Sequence, residues 1–190
     1  MRKILVLVVV LTFSNLGFAQ FKYEKETRIR DESVPENALK MIDALNFSRK
    51  VRWFKETGFD KISVEAKTKH SGRRYSIKFS ENGVFEDAEI EIKTADIPAE
   101  TFERINEYLL SELERFSFQK AQIQYTGNQN NVLAYLQTGQ KTNDITTNFE
   151  VVVSTKTLQS FVQYEYLFSE SGVFISRSQI VMRRSDNIEF

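Results

Sequence analysis

The stretch YSIKFSENGVF occupies residues 75–85, and a close copy, YEYLFSESGVF, occupies residues 164–174. In each copy apolar or aromatic side chains alternate with polar ones, which predicts a strand with one face in the core. The Asn-Gly or Ser-Gly step that follows supplies the residues that a tight hairpin turn requires. The sequence therefore predicts two similar antiparallel hairpins. Their predicted core residues are Tyr75, Ile77 and Phe79 in the first copy and Tyr164, Tyr166 and Phe168 in the second.

A helix start precedes each copy. Val34-Pro35 and Ile97-Pro98 each place a proline near a first helical turn, where its missing N–H costs nothing. Apolar residues then recur at helical spacing from Ala38 to Leu45 and from Phe102 to Leu113. The repetition of helix and hairpin predicts one supersecondary unit used twice. The predicted fold class is α+β, a tandem repeat of a helix plus an antiparallel β-meander, with the helices packed on one face of an antiparallel sheet.

The predicted domains are residues 20–95 and residues 96–190. The first includes an N-terminal arm that is either a leading strand or a loose segment. The second carries a polar insertion around residues 127–148, rich in Asn, Gln and Thr, with one apolar island at residues 132–136. A long polar segment in a compact domain predicts disorder or a decorated hairpin, or else a binding loop.

The first 19 residues predict a signal peptide. Arg2 and Lys3 form a basic start, an apolar run extends from Ile4 to Leu11, and Gly17-Phe18-Ala19 offers a cleavage site before Gln20. The apolar run is too short to span a bilayer, although a retained anchor is the alternative interpretation. We predict that the chain is exported, to the periplasm or outside the cell, with no membrane span in the mature form.

The composition excludes several functions. Loss of Arg2 and Lys3 leaves 24 of the 26 basic residues against 26 acidic ones, and nucleic-acid binding generally requires a basic surface. We therefore predict no nucleic-acid partner. The chain has no Cys, so stability depends on an ordinary packed core, to which 16 Phe residues contribute.

Candidate catalytic groups are few. His70 is the only histidine, so a histidine metal cluster is excluded. It stands beside a turn, and no conventional partner set for a Ser-His-Asp triad accompanies it. Four acidic residues lie along one hairpin arm: Glu86, Asp87, Glu89 and Glu91. A glycosidase needs two carboxylates that face each other across a cleft, but alternation with Ile90 and Ile92 places Glu89 and Glu91 on a solvent face. We predict no enzymatic activity, no cofactor and no metal site.

Several large apolar side chains fall at positions predicted to face outward or to lie in loops. They are Phe54, Phe59, Tyr135, Phe161 and Leu167. Exposed aromatic and aliphatic side chains of this kind commonly anchor protein interfaces. We predict that these five residues contact a partner.

The order of these motifs resembles the PepSY-like family of exported Bacteroidota proteins, which is related to the fold of β-lactamase-inhibitor proteins. The resemblance rests on the Val/Ile-Pro helix starts, on the strand around Trp53, and on the two aromatic strands that lead into a Gly turn. It covers roughly residues 33–182. The resemblance implies helices packed on an antiparallel sheet, and binding or inhibition of another protein in place of catalysis. This chain differs in its insertion and in having no counterpart of Trp53 in the second unit.

Three functions follow from the sequence in decreasing order of support. The first is an exported, non-enzymatic binding module that engages an unknown protein in the cell envelope or outside the cell, through an open sheet face and the 127–148 insertion. The second is a periplasmic carrier of a small ligand or lipid, held between helices and sheet. The third is a hydrolase that uses the acidic hairpin arm.

Overall fold

The structure, a computed structural model, describes residues 20–22, 25–59, 61–157 and 160–181. The predicted signal peptide lies outside these ranges. Two 3₁₀ turns, Asp31–Ser33 and Thr94–Asp96, precede the first two helices. The helices are α1 (Glu36–Ala44), α2 (Ala99–Glu112) and α3 (Gln129–Thr138). The strands are β1 (Gln20–Lys22), β2 (Lys25–Ile29), β3 (Arg52–Thr57), β4 (Ile62–His70), β5 (Arg73–Ser80), β6 (Phe85–Ile92), β7 (Phe116–Gly127), β8 (Ile145–Lys156), β9 (Phe161–Ser169) and β10 (Phe174–Ile180).

All ten described strands belong to one sheet, in the order β1-β10-β9-β8-β7-β6-β5-β4-β3-β2. From β2 to β10 every neighbouring pair is antiparallel and consecutive in the chain, so the sheet is one long meander. Short β1 pairs in parallel with β10. The N-terminal arm thus supplies strands, which the sequence left undecided. The α+β class is confirmed, with strands predominating.

The three helices pack on one face of the sheet, over two apolar clusters. In the first cluster α1 buries Met41 and Ile42 against residues that include Trp53 and Phe79. The second cluster is formed where α2 packs on strands β6 to β9. Its fully buried members include Ile105, Leu109, Val151, Tyr166 and Phe168. The alternation pattern correctly placed Ile77, Phe79, Tyr166 and Phe168 in the core, while Tyr75 and Tyr164 are half-buried beside it.

The polar insertion decorates a hairpin, one of the alternatives left by the sequence, because α3 forms within the connection between the antiparallel strands β7 and β8. The Asn128 side chain caps the helix by accepting a hydrogen bond from the Asn130 N–H, and Gly139 ends it with φ of 75°. Val132 is completely buried in the first cluster, so the apolar island packs into the core. The Gln137 side chain also donates to the Ala44 carbonyl at the end of α1, at 2.7 Å. The helical part of the insertion therefore packs on the same face of the sheet as α1.

Each predicted hairpin turn abuts the start of a helix. Gly83 and Gly172 have φ of +79° and +81°, a region that L side chains rarely adopt. A Cβ on Gly83 would stand 2.7 Å from the Cβ of Pro35, and one on Gly172 would stand 2.8 Å from the carbonyl oxygen of Thr101. Both turns therefore require glycine for conformation and for space.

The sheet is strongly curled. Strands β1 and β2 lie at opposite edges of it, but Lys22 and Lys25, which end β1 and begin β2, are three positions apart in the chain. Three residues span at most ~11 Å, whereas the nine spacings between ten strands of a flat sheet would cover ~43 Å. The sheet must therefore curl until its two edges approach each other.

The helices lie on the convex side of this curl. A helix with its side chains is about 10 Å across, and a sheet closed at about eight strands encloses little more than side chains. Three helices do not fit inside. In agreement, the side chains that point away from the helices include Glu56, Glu65, Gln122 and Glu150, which are buried although no described helix packs on them. We call this surface the concave face.

Candidate functional site

The concave face is polar, with scattered apolar side chains. Strand alternation and register place its members on nine neighbouring strands. They include Glu26, Phe54, Glu56, Glu65, Lys67, Ser76, Lys78, Asp87, Glu89, Glu91, Gln122, Gln124, Asn148, Glu150, Val152, Glu165, Leu167 and Ser178. Because the sheet curls around them, these side chains cover one another from water.

A charged cluster occupies the end of this face formed by β2 to β5. Glu56 and Glu65 are only 3% and 4% exposed, and their carboxyl groups are hydrogen-bonded to each other. Lys78 Nζ lies 2.8 Å from Glu56 Oε2. Lys67 Nζ lies 2.9 Å from Glu65 Oε2 and also pairs with Glu26. The Ser76 hydroxyl donates to Glu65 Oε1.

The cluster holds one proton. Its three carboxyl groups and two ammonium groups would carry a net negative charge if every group were ionised, and a proton on one carboxyl removes that charge. Burial, followed by the hydrogen bond and the negative charge of Glu56, raises the pKa of Glu65 to about 9. Burial alone would raise the pKa of Glu56 as well. The hydrogen bond from Glu65 and the charge of Lys78 outweigh that effect and lower the pKa of Glu56 to about 2. Glu65 is therefore the protonated member at neutral pH.

A hydrolase with two catalytic carboxyl groups needs a raised pKa on one of them, and Glu65 has such a pKa. Glu65 lies on β4, however, and not on the acidic hairpin arm that the sequence suggested. The carboxyl groups of Glu56 and Glu65 are in hydrogen-bond contact, whereas a retaining glycosidase separates its carboxyls by about 5–5.5 Å so that a glycosidic bond fits between them. Oxygen atoms of Glu26, Glu56 and Glu65 do lie within 4.8 Å of one another. However, the ammonium groups of Lys67 and Lys78 already pair with these carboxylates. We assign neither a glycosidase site nor a metal site to the cluster.

The acidic hairpin arm has a different arrangement. Glu86 pairs with Lys61 at 2.6 Å, and Glu91 pairs with Arg74 at 3.2 Å. Glu89 lies on the concave face and accepts a hydrogen bond from Gln122 Nε2 at 2.9 Å. These residues are half-buried, and are not on a freely solvated face as alternation suggested, because a curled sheet encloses side chains that a flat one would expose.

The five predicted contact residues do not form one surface. Phe54, Phe161 and Leu167 belong to the concave face, where the ammonium group of Lys67 lies 5.3 Å from the ring centroid of Phe54. Phe161 is 74% exposed at the start of β9, and Phe54 and Leu167 are half-buried. Phe59 is 66% exposed in the turn between β3 and β4.

Tyr135 lies in the opposite layer. It is half-buried on α3, its ring packs at 4.9 Å from that of Tyr125, and the two hydroxyl groups lie 3.3 Å apart. The sequence treated the insertion as a loop, so it could not show that this ring packs on the sheet. A single contact surface therefore cannot combine helix α3 with the concave face.

Comparisons with known proteins bear on the fold. No protein-family model matches the chain, and no curated protein matches it. Three solved structures from Bacteroides species are similar.

A Bacteroides eggerthii protein with a predicted periplasmic location has 11% identity and a TM-score of 0.53, over 77% of this chain and 88% of its own. A DUF2874 family protein from Bacteroides ovatus has 8% identity and a TM-score of 0.52, over 82% and 99%. A BLIP-like protein from Bacteroides fragilis has 16% identity and a TM-score of 0.47, over 83% of this chain and 93% of its own.

At these identities the likeness shows the fold alone. The fold occurs in Bacteroides proteins, as the resemblance read from the sequence implied. In the part of the chain that the structure describes, no helix has both the length and the apolar character needed to cross a membrane.

Proposed function

We propose that the protein is an exported, non-enzymatic binding protein of the PepSY-like type that engages a protein partner through its concave face. The observation that carries the proposal is the face itself. It extends over nine described strands, it is left uncovered by the helices that pack on the convex side, and it combines charged groups with apolar ones. Among its members Phe161 is 74% exposed at the start of β9, where a partner has access to it.

The proposal also includes a tandem origin for residues 20–95 and 96–190. The two halves repeat details beyond the sequence motif. The Val84 N–H donates to Ser80 Oγ at 3.0 Å, and the Val173 N–H donates to Ser169 Oγ at 3.1 Å. In each half a 3₁₀ turn leads into a proline and then a helix, and the hairpin glycine contacts that helix start. Two units of this kind, joined edge to edge, produce the wide sheet that the proposed function requires.

The carrier hypothesis placed a ligand between the helices and the sheet. That space is filled by side chains such as Ile105, Leu109 and Val132, all fully buried. A surface depression near the β4–β5 turn is lined mainly by charged residues, among them Lys69, Arg73 and Asp96, and not by the apolar side chains that a lipid would contact. Protein binding is therefore the function that we retain. Export is compatible with a protein-binding function and with a carrier function. We propose it from the signal-peptide pattern of residues 1–19.

The experiment is a capture from envelope extract of the source organism with the chain from residue 20 to residue 190 as bait. Two bait variants, Phe161→Ser and Leu167→Ser, change the concave face. The matched control is Leu110→Ser, because Leu110 is 57% exposed on α2, on the convex side. We expect one protein to be retained by the wild type and by the control, and lost with either concave variant. Loss with the control alone, or equal retention by all four baits, would refute the proposed site.

Deleting residues 127–148 is not a suitable test. It would remove Val132 from the first cluster and would therefore confuse binding with folding.

A further inference from the structure

The surface depression near the β4–β5 turn carries a surplus of positive charge. Its charged lining residues are Lys69, Arg73, Arg74, Glu91, Lys93 and Asp96. Arg74 pairs with Glu91 at 3.2 Å, and Arg73 pairs with Asp96 at 3.6 Å, so these four charges balance one another. Lys69 and Lys93 form no ion pair with any residue that the structure describes. The surplus therefore consists of these two ammonium groups.

A second basic segment lies beside the depression. The Thr68 hydroxyl, next to Lys69 in β4, is within hydrogen-bond distance of the carbonyl oxygens of Arg49 and Lys50, at 3.2 and 3.3 Å. These contacts hold the loop before β3 against the end of β4. The side chains of Arg49 and Lys50 are exposed, and they extend the positive potential around the depression.

The donors of the depression are accessible from solvent. The depression is open and has a volume of about 490 Å³, within the range of sites that hold small molecules. Lys69 and Lys93 are exposed, and the side chains of Arg73 and Arg74 are 50% and 65% exposed. Because a guanidinium has five N–H donors, each arginine retains donors for a ligand beside the carboxylate with which it pairs.

The charge and the donors specify the class of ligand. A carboxylate or a sulfate ester carries a single negative charge and would balance only one of the two lysines. A phosphate monoester carries a charge of about −1.5 to −2 at pH 7 and has three strong acceptor oxygens. Arginine binds such oxygens through its planar fork, and lysine binds them as a point charge.

We propose that this depression binds a small molecule that carries a phosphate monoester. Lys69 and Lys93 balance its charge, and Arg73 and Arg74 donate hydrogen bonds to its oxygens. The inference goes beyond the proposed function, because this site needs no protein partner.

The test uses three probes: glucose 6-phosphate, inorganic phosphate and glucose. Each is titrated at constant ionic strength into the ¹⁵N-labelled chain from residue 20 to residue 190, and amide shifts are followed by NMR. We expect glucose 6-phosphate to shift the amides of Gly72 and Lys93, which line the depression. Inorganic phosphate should shift the same amides but bind no more tightly than the ester. Glucose, which lacks the phosphate, should bind more weakly than the ester by about tenfold or more.

Four variants locate the site. Lys69→Gln and Lys93→Gln should each weaken binding of glucose 6-phosphate by about tenfold. The matched control is Lys156→Gln, which removes the same charge from an exposed lysine at the end of β8 and should leave the affinity unchanged. Asp96→Asn removes a negative charge beside Arg73 and should strengthen binding by about threefold.

Four results would overturn the inference. They are equal binding of glucose and glucose 6-phosphate, tighter binding of inorganic phosphate than of the ester, equal weakening by the control and by the two lysine variants, and no shift at Gly72 or Lys93 with millimolar probe. These titrations use the purified chain without a partner. Their failure would therefore leave the proposed protein-binding function in place, and the capture experiment tests that function separately.

Discussion

Replacement of Glu65 by glutamine is predicted to make the stability of the protein less sensitive to alkaline pH, so that the variant gains stability relative to the wild type between pH 5 and pH 8. The introduced glutamine side chain would have the shape of the protonated carboxyl, since its amide can donate to Glu56 and its oxygen can accept from Ser76, as Glu65 does. The substitution therefore keeps these two hydrogen bonds, places an amide nitrogen where Glu65 Oε2 pairs with Lys67, and removes the group that must hold a proton.

The sign follows from the direction of the pKa shift. The pKa of Glu65 is raised from 4.5 to about 9 in the folded protein. Between those values the folded chain holds a proton that the unfolded chain has lost, so stability falls as pH rises. The limit is ~1.4 kcal/mol per pH unit for one proton. Because Lys67 stabilises the ionised form of Glu65, we expect less than this limit. From pH 5 to pH 8 the free energy of unfolding of Glu65→Gln is expected to rise relative to that of the wild type by about 1–3 kcal/mol.

Glu56 makes the stability of the protein depend on pH in the acidic range. Its pKa is lowered from 4.5 to about 2, so its contribution to stability is present above pH 4.5 and is lost as the pH falls toward 2. The pair together should give greatest stability near pH 4.5. Glu65→Gln removes only the alkaline limb of this dependence.

The assay is urea unfolding at pH 5, 6.5 and 8, followed by the fluorescence of Trp53, which is the only tryptophan and is buried under α1. Other groups titrate equally in wild type and variant, so the difference between them isolates Glu65. Glu107→Gln, exposed on α2, controls for the change in net charge. A wild-type-minus-variant difference that is constant from pH 5 to pH 8 would refute the assignment of the proton to Glu65.

Two further predictions concern packing. Gly83→Ala should destabilise the protein by about 2–3 kcal/mol, since it adds a clash with Pro35 to the strain of a positive φ. The control is Gly72→Ala, where φ is likewise positive, at +81°, but nothing lies within 4 Å of the added Cβ, and it should cost only about 1 kcal/mol. Equal losses in urea unfolding would show that the Gly83 turn does not press on the helix start. Val132→Asp should lower the free energy of unfolding by at least about 3 kcal/mol, because it buries an unpaired charge in the first cluster. A decrease of less than about 0.5 kcal/mol, as for an ordinary surface substitution, would mean that α3 does not pack on the sheet.

Local patterns in the sequence were sufficient to predict the two hairpins and the helices α1 and α2. Alternation assigns Ile77 and Phe79 to a core face wherever a strand forms, and a positive-φ glycine closes the turn in either copy. The sequence also contains a signal for helix α3, but the polar composition of residues 127–148 led to their interpretation as a loop. Asn128 and Gly139 stand at capping distance around one apolar stripe, which is typical of a ten-residue helix.

The concave face could not be predicted in the same way. A period of two separates the two faces of a strand, but it does not distinguish a solvated face from one that curvature encloses. The curvature depends on β1 and β2, which pair with strands at opposite edges of the sheet, and these are contacts between residues far apart in the chain. For the same reason Glu56 and Glu65, nine positions apart on two strands, showed no sequence signal of a shared proton.

The most direct test of the central claim is site-specific photo-cross-linking in envelope extract. A photoreactive phenylalanine analogue replaces Leu167 on the concave face in one preparation and Leu110 on the convex side in another. Binding through the concave face predicts a discrete covalent product with one protein from position 167 and none from position 110. A product from position 110 alone, or the same products from both positions, would contradict binding through the concave face.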